Sequence, residues 1–230
     1  MAKTLQLLSS MAPREILFAA IELYNKTAST RIEAHAAGGV EAAKRVASGE
    51  AIDIVVLARD AIDALIGGGW LSVNGQVDLI RSGIGVAVRE GAMRPSIFDA
   101  AGVRHALKKA RTIGWSTGPS GKYLEALVGR WQLLEDLRSR IVVPPPGIAV
   151  ARWVAAGKIE LGFQQLSELL NEPGIEIVGL LPDSIQHLTT FKAAVSCSCR
   201  DPSAAQEFLS FLSSPLTREI VHRYGMTPIH

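Results

Sequence analysis

The chain has 230 residues, 48% of them hydrophobic and 20% charged, with a formal net charge of +2. That balance fits a globular protein with a packed core, as one large domain or two modest lobes. It offers no basic field for nucleic acid, and no stretch approaches the roughly 18 apolar residues that a membrane helix needs.

Strand and helix signals alternate from end to end. The segment TLQLLSS (4–10) reads as a strand, and 13–27 as a helix with Ile16, Leu17, Ala20, Ile21 and Tyr24 on one stripe. TRIEAHAA (30–37) alternates like a strand, and 39–48 reads as a short helix. IDIVVLA (52–58) is a continuous apolar run, as expected of a buried parallel strand. A helix from Asp60 to Leu65 follows, closed by Gly67, Gly68 and Gly69. A second series then begins: GIGVAVR (83–89), a helix at 101–110, TIGWS, a helix at 121–137, and RIVVPPP stopped by three prolines. A helix at 147–156 and the strands KIELGFQ, GIEIVGLL and TTFKAAVSCS come next, with two closing helices at 202–213 and 215–224. The order implies an α/β fold with mostly parallel sheets and right-handed crossovers, in two intertwined lobes of similar build.

In such sheets ligands bind outside the carboxyl ends of the strands, where helix N-termini offer unpaired N–H groups suited to anions. The strand-to-helix junctions are Ser9–Ser10–Met11, Ala37–Gly38–Gly39, Ala58–Arg59–Asp60, STGPSGK (116–122), Pro146–Gly147 and Gln164–Gln165–Leu166–Ser167. They are rich in Gly, Ser and amides and poor in titratable groups, a chemistry that binds a carboxylate or oxyanion by neutral donors. Each has a plainer reading: Ser10 as a helix N-cap, GPSG as a turn, the two glutamines as polar surface.

Enzyme signatures are few. There is no G-x-S-x-G, P-loop, H-E-x-x-H or GxGxxG fingerprint, and the five histidines show no metal spacing, so neither a metal nor a cofactor is expected. His187 reads as a surface residue or a pocket group. Cys197 and Cys199, the only cysteines, are two apart, which on a strand would place both on one face. A bridge between them would be strained, and reduced packing thiols are expected. The start MAKTLQ lacks an apolar leader segment. The protein is cytoplasmic if Met1 is native, and periplasmic if a signal peptide has been removed and Met1 added.

Several segments together resemble the type II periplasmic solute-binding proteins, specifically the molybdate-binding group. They are LLSSMAPREIL, ASGEAIDIVVLARDAIDAL, AAGKIELGFQQLSELL, GIEIVGLLPDSIQHLTTFKAAVS and AQEFLSFLSSPLTREIVHRYGMTP, in the family's order along nearly the whole chain. The resemblance implies two Rossmann-like lobes, 1–82 with 188–230 and 83–187, joined by two crossing strands, with a ligand in the cleft between them and closure by hinge motion. It carries the family's oxyanion contacts onto Ser10, Gly39, the Ser120–Gly121 backbone, Gly147 and Gln165. Ser9, Met11, Gly38 and Ser116 flank these positions, and Arg59 and Lys122 are near enough in sequence to answer extra carboxylates, although Arg59 reads equally as a surface charge.

Two positions depart from the molybdate pattern, Gly39 for a serine and Gln165 for a tyrosine. Losing two hydroxyl donors argues for a larger organic carboxylate over molybdate. A branch of the same family, the aconitate isomerases, makes an enzyme alternative concrete: a proton shift across a small di- or tricarboxylate. That chemistry needs a base which also returns the proton, and His187, Glu168 and Lys122 are candidates. The sequence favours a monomeric binding protein that delivers a small anion to an ABC transporter membrane component. The isomerase stands as the alternative, and a cytosolic sensor is a third, weaker reading.

Overall fold

In the computed structural model the structure describes residues 3–229. The chain divides into two compact units, one running up to Arg81 and resuming at Thr190, the other Ser82–Thr189.

The first unit opens with strand β1 (Thr4–Ser10), helix α1 (Arg14–Tyr24), β2 (Arg31–Ala37), α2 (Gly39–Ala47), β3 (Ile54–Ala58) and α3 (Arg59–Gly67). Strand β4 (Leu71–Ser82) then leads toward the second unit. That unit holds β5 (Ile84–Arg89), α4 (Ala100–Lys109), β6 (Ile113–Trp115), α5 (Pro119–Arg130), α6 (Leu134–Leu137), β7 (Ile141–Val142), α7 (Val150–Ala155), β8 (Leu161–Gln165), α8 (Leu166–Leu169) and β9 (Ile175–Leu180). Strand β10 (Thr189–Ser196) brings the chain back, and α9 (Pro202–Leu212), α10 (Pro215–Arg223) and β11 (Thr227–Pro228) finish the first unit.

The first sheet has the order β11-β4-β10-β3-β1-β2. Strand β1 pairs in parallel with β2 and β3, while β10 runs antiparallel to β3 and β11 antiparallel to β4. The apolar run Ile54–Leu57 shows why the sheet is covered on both faces. Side chains alternate across a strand, so Ile54 and Val56 join one core with Leu7, Leu17, Phe191 and Phe208, beneath α1 and α9. Val55 and Leu57 join another with Leu8, Val46, Ile62 and Leu65, beneath α2 and α3.

The second sheet has the order β7-β6-β8-β5-β9. Strand β6 is parallel to β7 and β8, and β5 is antiparallel to β8 and β9. Ile84, Val86 and Val88 of β5 face a core with Val103, Leu107, Leu124 and Phe163. On the other face glycines admit short helices: a Cβ on Gly162 would lie 2.4 Å from Val154 Cγ2 of α7. Both sheets are therefore mixed, with parallel pairs among β1, β2 and β3 and among β6, β7 and β8, and antiparallel pairs at β10, β11 and β5. In the second sheet β5, although joined to β6 through α4, runs against β6, β7 and β8.

Some expectations change. Strand β4 was not anticipated, because its burial is irregular along Leu71–Ser82 and shows neither helical nor strand periodicity. The helix expected over 121–137 starts earlier, at Pro119, and breaks at Gln132, whose φ is 57°. Strand β10 ends at Ser196, so Cys197 and Cys199 lie in the following turn and not on a strand face. Both are free, with Cys197 exposed and Cys199 packed against the first unit's core. Burial above all pushes the Cys199 thiol up to about 11, and the nearby Asp53 and Asp201 carboxylates add to the effect.

Candidate functional site

In the first unit, β2, β1 and β3 lie side by side and end together, with Ser10 opposite Ala37 and Ser9 opposite Val56. Their three following junctions therefore occupy one edge of the sheet. Ser9 is fully buried and donates to the Ser10 carbonyl at 3.0 Å, a local structural bond. Ser10 is also buried, and its Oγ has no partner among the described residues. The reading of Ser10 as a helix cap fails. The N-cap of α1 is Pro13, with helical backbone angles and no side-chain cap. Between them the chain turns through half-buried Met11, whose carbonyl accepts from Arg14 N at 3.2 Å. Proline needs no N–H partner there, so the turn closes without consuming the serine hydroxyl.

Gly39 is the first residue of α2, after the cap residue Gly38. A Cβ on Gly39 would lie 3.7 Å from Ser10 Cβ, so the two junctions touch. Arg59 opens α3, and its guanidinium pairs with Asp78 through Nη2 to Oδ2 and Nε to Oδ1 at 3.2 Å. This fork-to-fork pair holds the arginine against β4, and its charge is already answered within the unit.

In the second unit, β7, β6 and β8 are likewise adjacent and parallel. After β6, Ser116 Oγ accepts from Gly118 N at 3.2 Å and lies 3.4 Å from Ser120 Oγ. Ser120 and Gly121 fall inside the first turn of α5 and not in the loop before it. A Cβ on Gly121 would sit 1.6 Å from the Ser116 carbonyl oxygen, so glycine is required for the helix to start against the strand end. Gly147 is exposed and has φ 83°, three residues before α7.

Gln164 and Gln165 end β8 and are buried, so the polar-surface reading of this pair fails. Gln164 Oε1 accepts from Ala151 N at 3.2 Å, and its Nε2 donates to Glu168 Oε1 at 2.8 Å. It therefore ties the start of α7 to α8. Gln165 Nε2 donates to Thr189 Oγ1 at 2.7 Å, while its Oε1 has no partner among the described residues.

The three suggested bases all belong to the second unit. Lys122 is exposed on α5. Glu168 is held by Gln164. His187 stacks on the Tyr123 ring at 4.7 Å between centroids, and the Tyr123 hydroxyl donates to the Ile185 carbonyl at 2.8 Å. Sequence reasoning missed Asp78 and Thr189, which position Arg59 and Gln165. Neither had a local signal, because each acts on a partner 19 or 24 residues away.

All six helices that follow these parallel strands, α1, α2, α3, α5, α7 and α8, start without a side-chain cap. The carboxylate caps lie elsewhere, Asp99 on α4 and Asp201 on α9. A carboxylate at a junction would satisfy the first N–H groups and repel an anion. No capping carboxylate takes these N–H groups, although Glu15, Glu41, Asp60 and Glu168 stand in the first turns of α1, α2, α3 and α8. Among the described residues, no group of three His, Cys, Asp or Glu side chains could hold a metal ion.

The sequence matches the family described as bacterial extracellular solute-binding protein over residues 5–227. The chain belongs to that family. A curated relative, aconitate isomerase from a Pseudomonas species, is 36% identical over 189 residues, covering 80% of this chain and 71% of its own. The substrate-binding domain of a putative molybdenum ABC transporter from Clostridium difficile superposes with a TM-score of 0.75 at 18% identity, covering 99% of both chains. The periplasmic molybdate-binding protein of Azotobacter vinelandii does so with a TM-score of 0.78 at 16% identity, covering 97% of this chain and 98% of that one. The fold is thus the two-lobed type II periplasmic binding architecture, and the resemblance to the molybdate-binding group is a resemblance of fold.

Proposed function

We propose that this protein is a solute-binding protein for a small organic carboxylate, held by neutral donors at the strand-to-helix junctions, which it delivers outside the cytoplasm to an ABC transporter. The observation that carries this reading is Ser10: a buried hydroxyl without a partner among the described residues, beside the uncapped start of α2. A hydroxyl kept in that state destabilises the ligand-free fold and suits an incoming oxygen anion. Gly39 supports a carboxylate over a compact tetrahedral oxyanion, since it gives room where a second hydroxyl would close the donor shell. Arg59, already paired with Asp78, serves this reading as a neutralised positioning group. The test is a thermal-shift screen with di- and tricarboxylates against molybdate, tungstate and sulfate. A specific ligand stabilises the folded state by mass action. Stabilisation by carboxylates is expected, and stabilisation by molybdate or tungstate alone would refute the carboxylate assignment.

A second reading, supported by the 36% identical relative, is isomerisation of a small di- or tricarboxylate. A base would remove a proton beside a carboxylate, neutral donors would hold the enolate-like charge, and the same base would return the proton one allylic position away. Of the suggested bases, Glu168 and His187 are half-buried and Lys122 is exposed. Proton NMR of trans-aconitate with the protein in deuterated water tests this directly: new isomer signals with deuterium incorporation support it, and an unchanged spectrum at saturating substrate sinks it for that substrate.

A further inference from the structure

Gln165 carries information about the ligand that the anion-binding loops do not. Its side chain is 2% exposed at the end of β8. Thr189 Oγ1 accepts from its Nε2 at 2.7 Å, and Oε1 is the other arm of the same amide. No donor reaches Oε1 among the described residues. Its neighbour Gln164 shows the contrast, for there both ends of the amide are engaged, Oε1 by Ala151 N and Nε2 by Glu168. A buried amide oxygen without a donor is costly and uncommon in native proteins.

A carbonyl oxygen accepts and cannot donate. A deprotonated carboxylate or a bare oxyanion placed against it would set two acceptors face to face, with no proton between them. A hydroxyl fits. We infer that the ligand is a hydroxy acid, whose hydroxyl donates to Gln165 Oε1 while its carboxylate is taken by neutral donors. The inference rests on the carboxylate reading above and narrows it: Gln165 becomes a specificity-determining residue, and Thr189 the residue that orients it. Sites built to pair a substrate hydroxyl discriminate strongly against the analogue that lacks it, because the protein's own polar group is then left unpaired.

The experiment is titration calorimetry on the full chain with matched acids: malate against succinate, citrate against tricarballylate, lactate against propionate. In at least one pair the hydroxylated member is expected to bind ten-fold or more tightly. In Gln165→Met, which keeps the length of the side chain and removes the acceptor, that ratio is expected to fall to about two or less. In Thr189→Val, which frees the amide to turn its Nε2 toward the ligand, the ratio falls while the deoxy acid binds at least as well as before. Circular dichroism and the unliganded melting temperature check that each variant is folded. Equal or tighter binding of every deoxy acid by the unsubstituted protein overturns the inference, as does a preference that survives Gln165→Met. Binding of both members without preference leaves the carboxylate reading standing and removes only this one. Failure of every acid, with or without binding of oxyanions, removes both.

Discussion

Gly39→Ala separates the cost of folding from the cost of binding at the junction where Ser10 meets α2. Gly39 is the first residue of that helix, and its φ lies outside the left-handed region. The new methyl would meet Ser10 Cβ at 3.7 Å, an ordinary van der Waals contact. Alanine therefore fits, and the unfolded chain loses freedom. Gly→Ala at a compatible position stabilises by about 0.4–1 kcal/mol. In a chain of this size each kcal/mol moves the melting temperature by about 2–4 °C, so a rise of about 1–4 °C is expected. Binding should move the other way, because the methyl covers the approach to the first N–H groups of α2. Losing one hydrogen bond to a charged ligand costs about 1.5–3 kcal/mol, or a 10- to 150-fold weaker Kd. Scanning fluorimetry and calorimetry with the tightest carboxylate measure both quantities. Gly121→Ala is the control with the opposite stability outcome: its methyl would lie 1.6 Å from the Ser116 carbonyl oxygen, a backbone atom that cannot step aside. Overpacking of that kind costs about 1–3 kcal/mol or more. If Gly39→Ala is folded and binds within two-fold of the unsubstituted protein, the Ser10–Gly39 junction does not receive the ligand.

Ser10→Ala removes a buried hydroxyl that has no partner among the described residues, so the unliganded protein should melt no lower than before while carboxylate affinity falls at least ten-fold; a large drop in melting temperature would mean that the hydroxyl has a structural role. Cys197 is exposed, whereas the Cys199 thiol is pushed up to about 11, so iodoacetamide at pH 8 should label Cys197 and leave Cys199 until the protein unfolds, as peptide mass mapping will show. The Asp201 carboxyl is held below its ordinary value of 3.8, first by the hydrogen bond from Lys3 and then by the Ala204 N–H. Its contribution to stability is therefore complete above that value and is lost as pH falls through the lower folded one, so Asp201→Asn should flatten the acid limb of a melting-temperature profile between pH 5 and 2.5. Asp99 caps α4 by accepting from Gly102 N at 2.7 Å; Asp99→Ala should cost about 1 kcal/mol in urea unfolding without altering ligand affinity.

Much of the architecture is written locally. The run Ile54–Leu57 announces a strand covered on both faces, because alternate side chains must each find a core. The stripe Ile16, Leu17, Ala20, Ile21 and Tyr24 announces α1 and the face it buries. Five family-like segments in order place the chain among the solute-binding proteins, and the family match spans nearly the same residues. Where local pattern fails, the reason is tertiary. Strand β4 is irregularly buried because its neighbours, and not its own period, decide which residues are covered. Its Gly75 sits where a Cβ would come within 3.0 Å of Val195 Cβ, a close approach that only the pairing with β10 explains.

The same division holds for the candidate site. The sequence alone could say that the junctions after parallel strands are made of Gly, Ser and amide groups, since composition at a strand end is a local property. It could not say which of those groups are spent within the protein. Ser9 and Gln164 satisfy their own surroundings, while Ser10 Oγ and Gln165 Oε1 do not. Arg59 belongs to Asp78, and Gln165 to Thr189, through contacts that no spacing rule anticipates. Whether a polar atom is free to meet a ligand depends on every neighbour that folding brings to it. Chain order fixes the chemistry a residue carries, and tertiary packing fixes how much of that chemistry is left over for a guest.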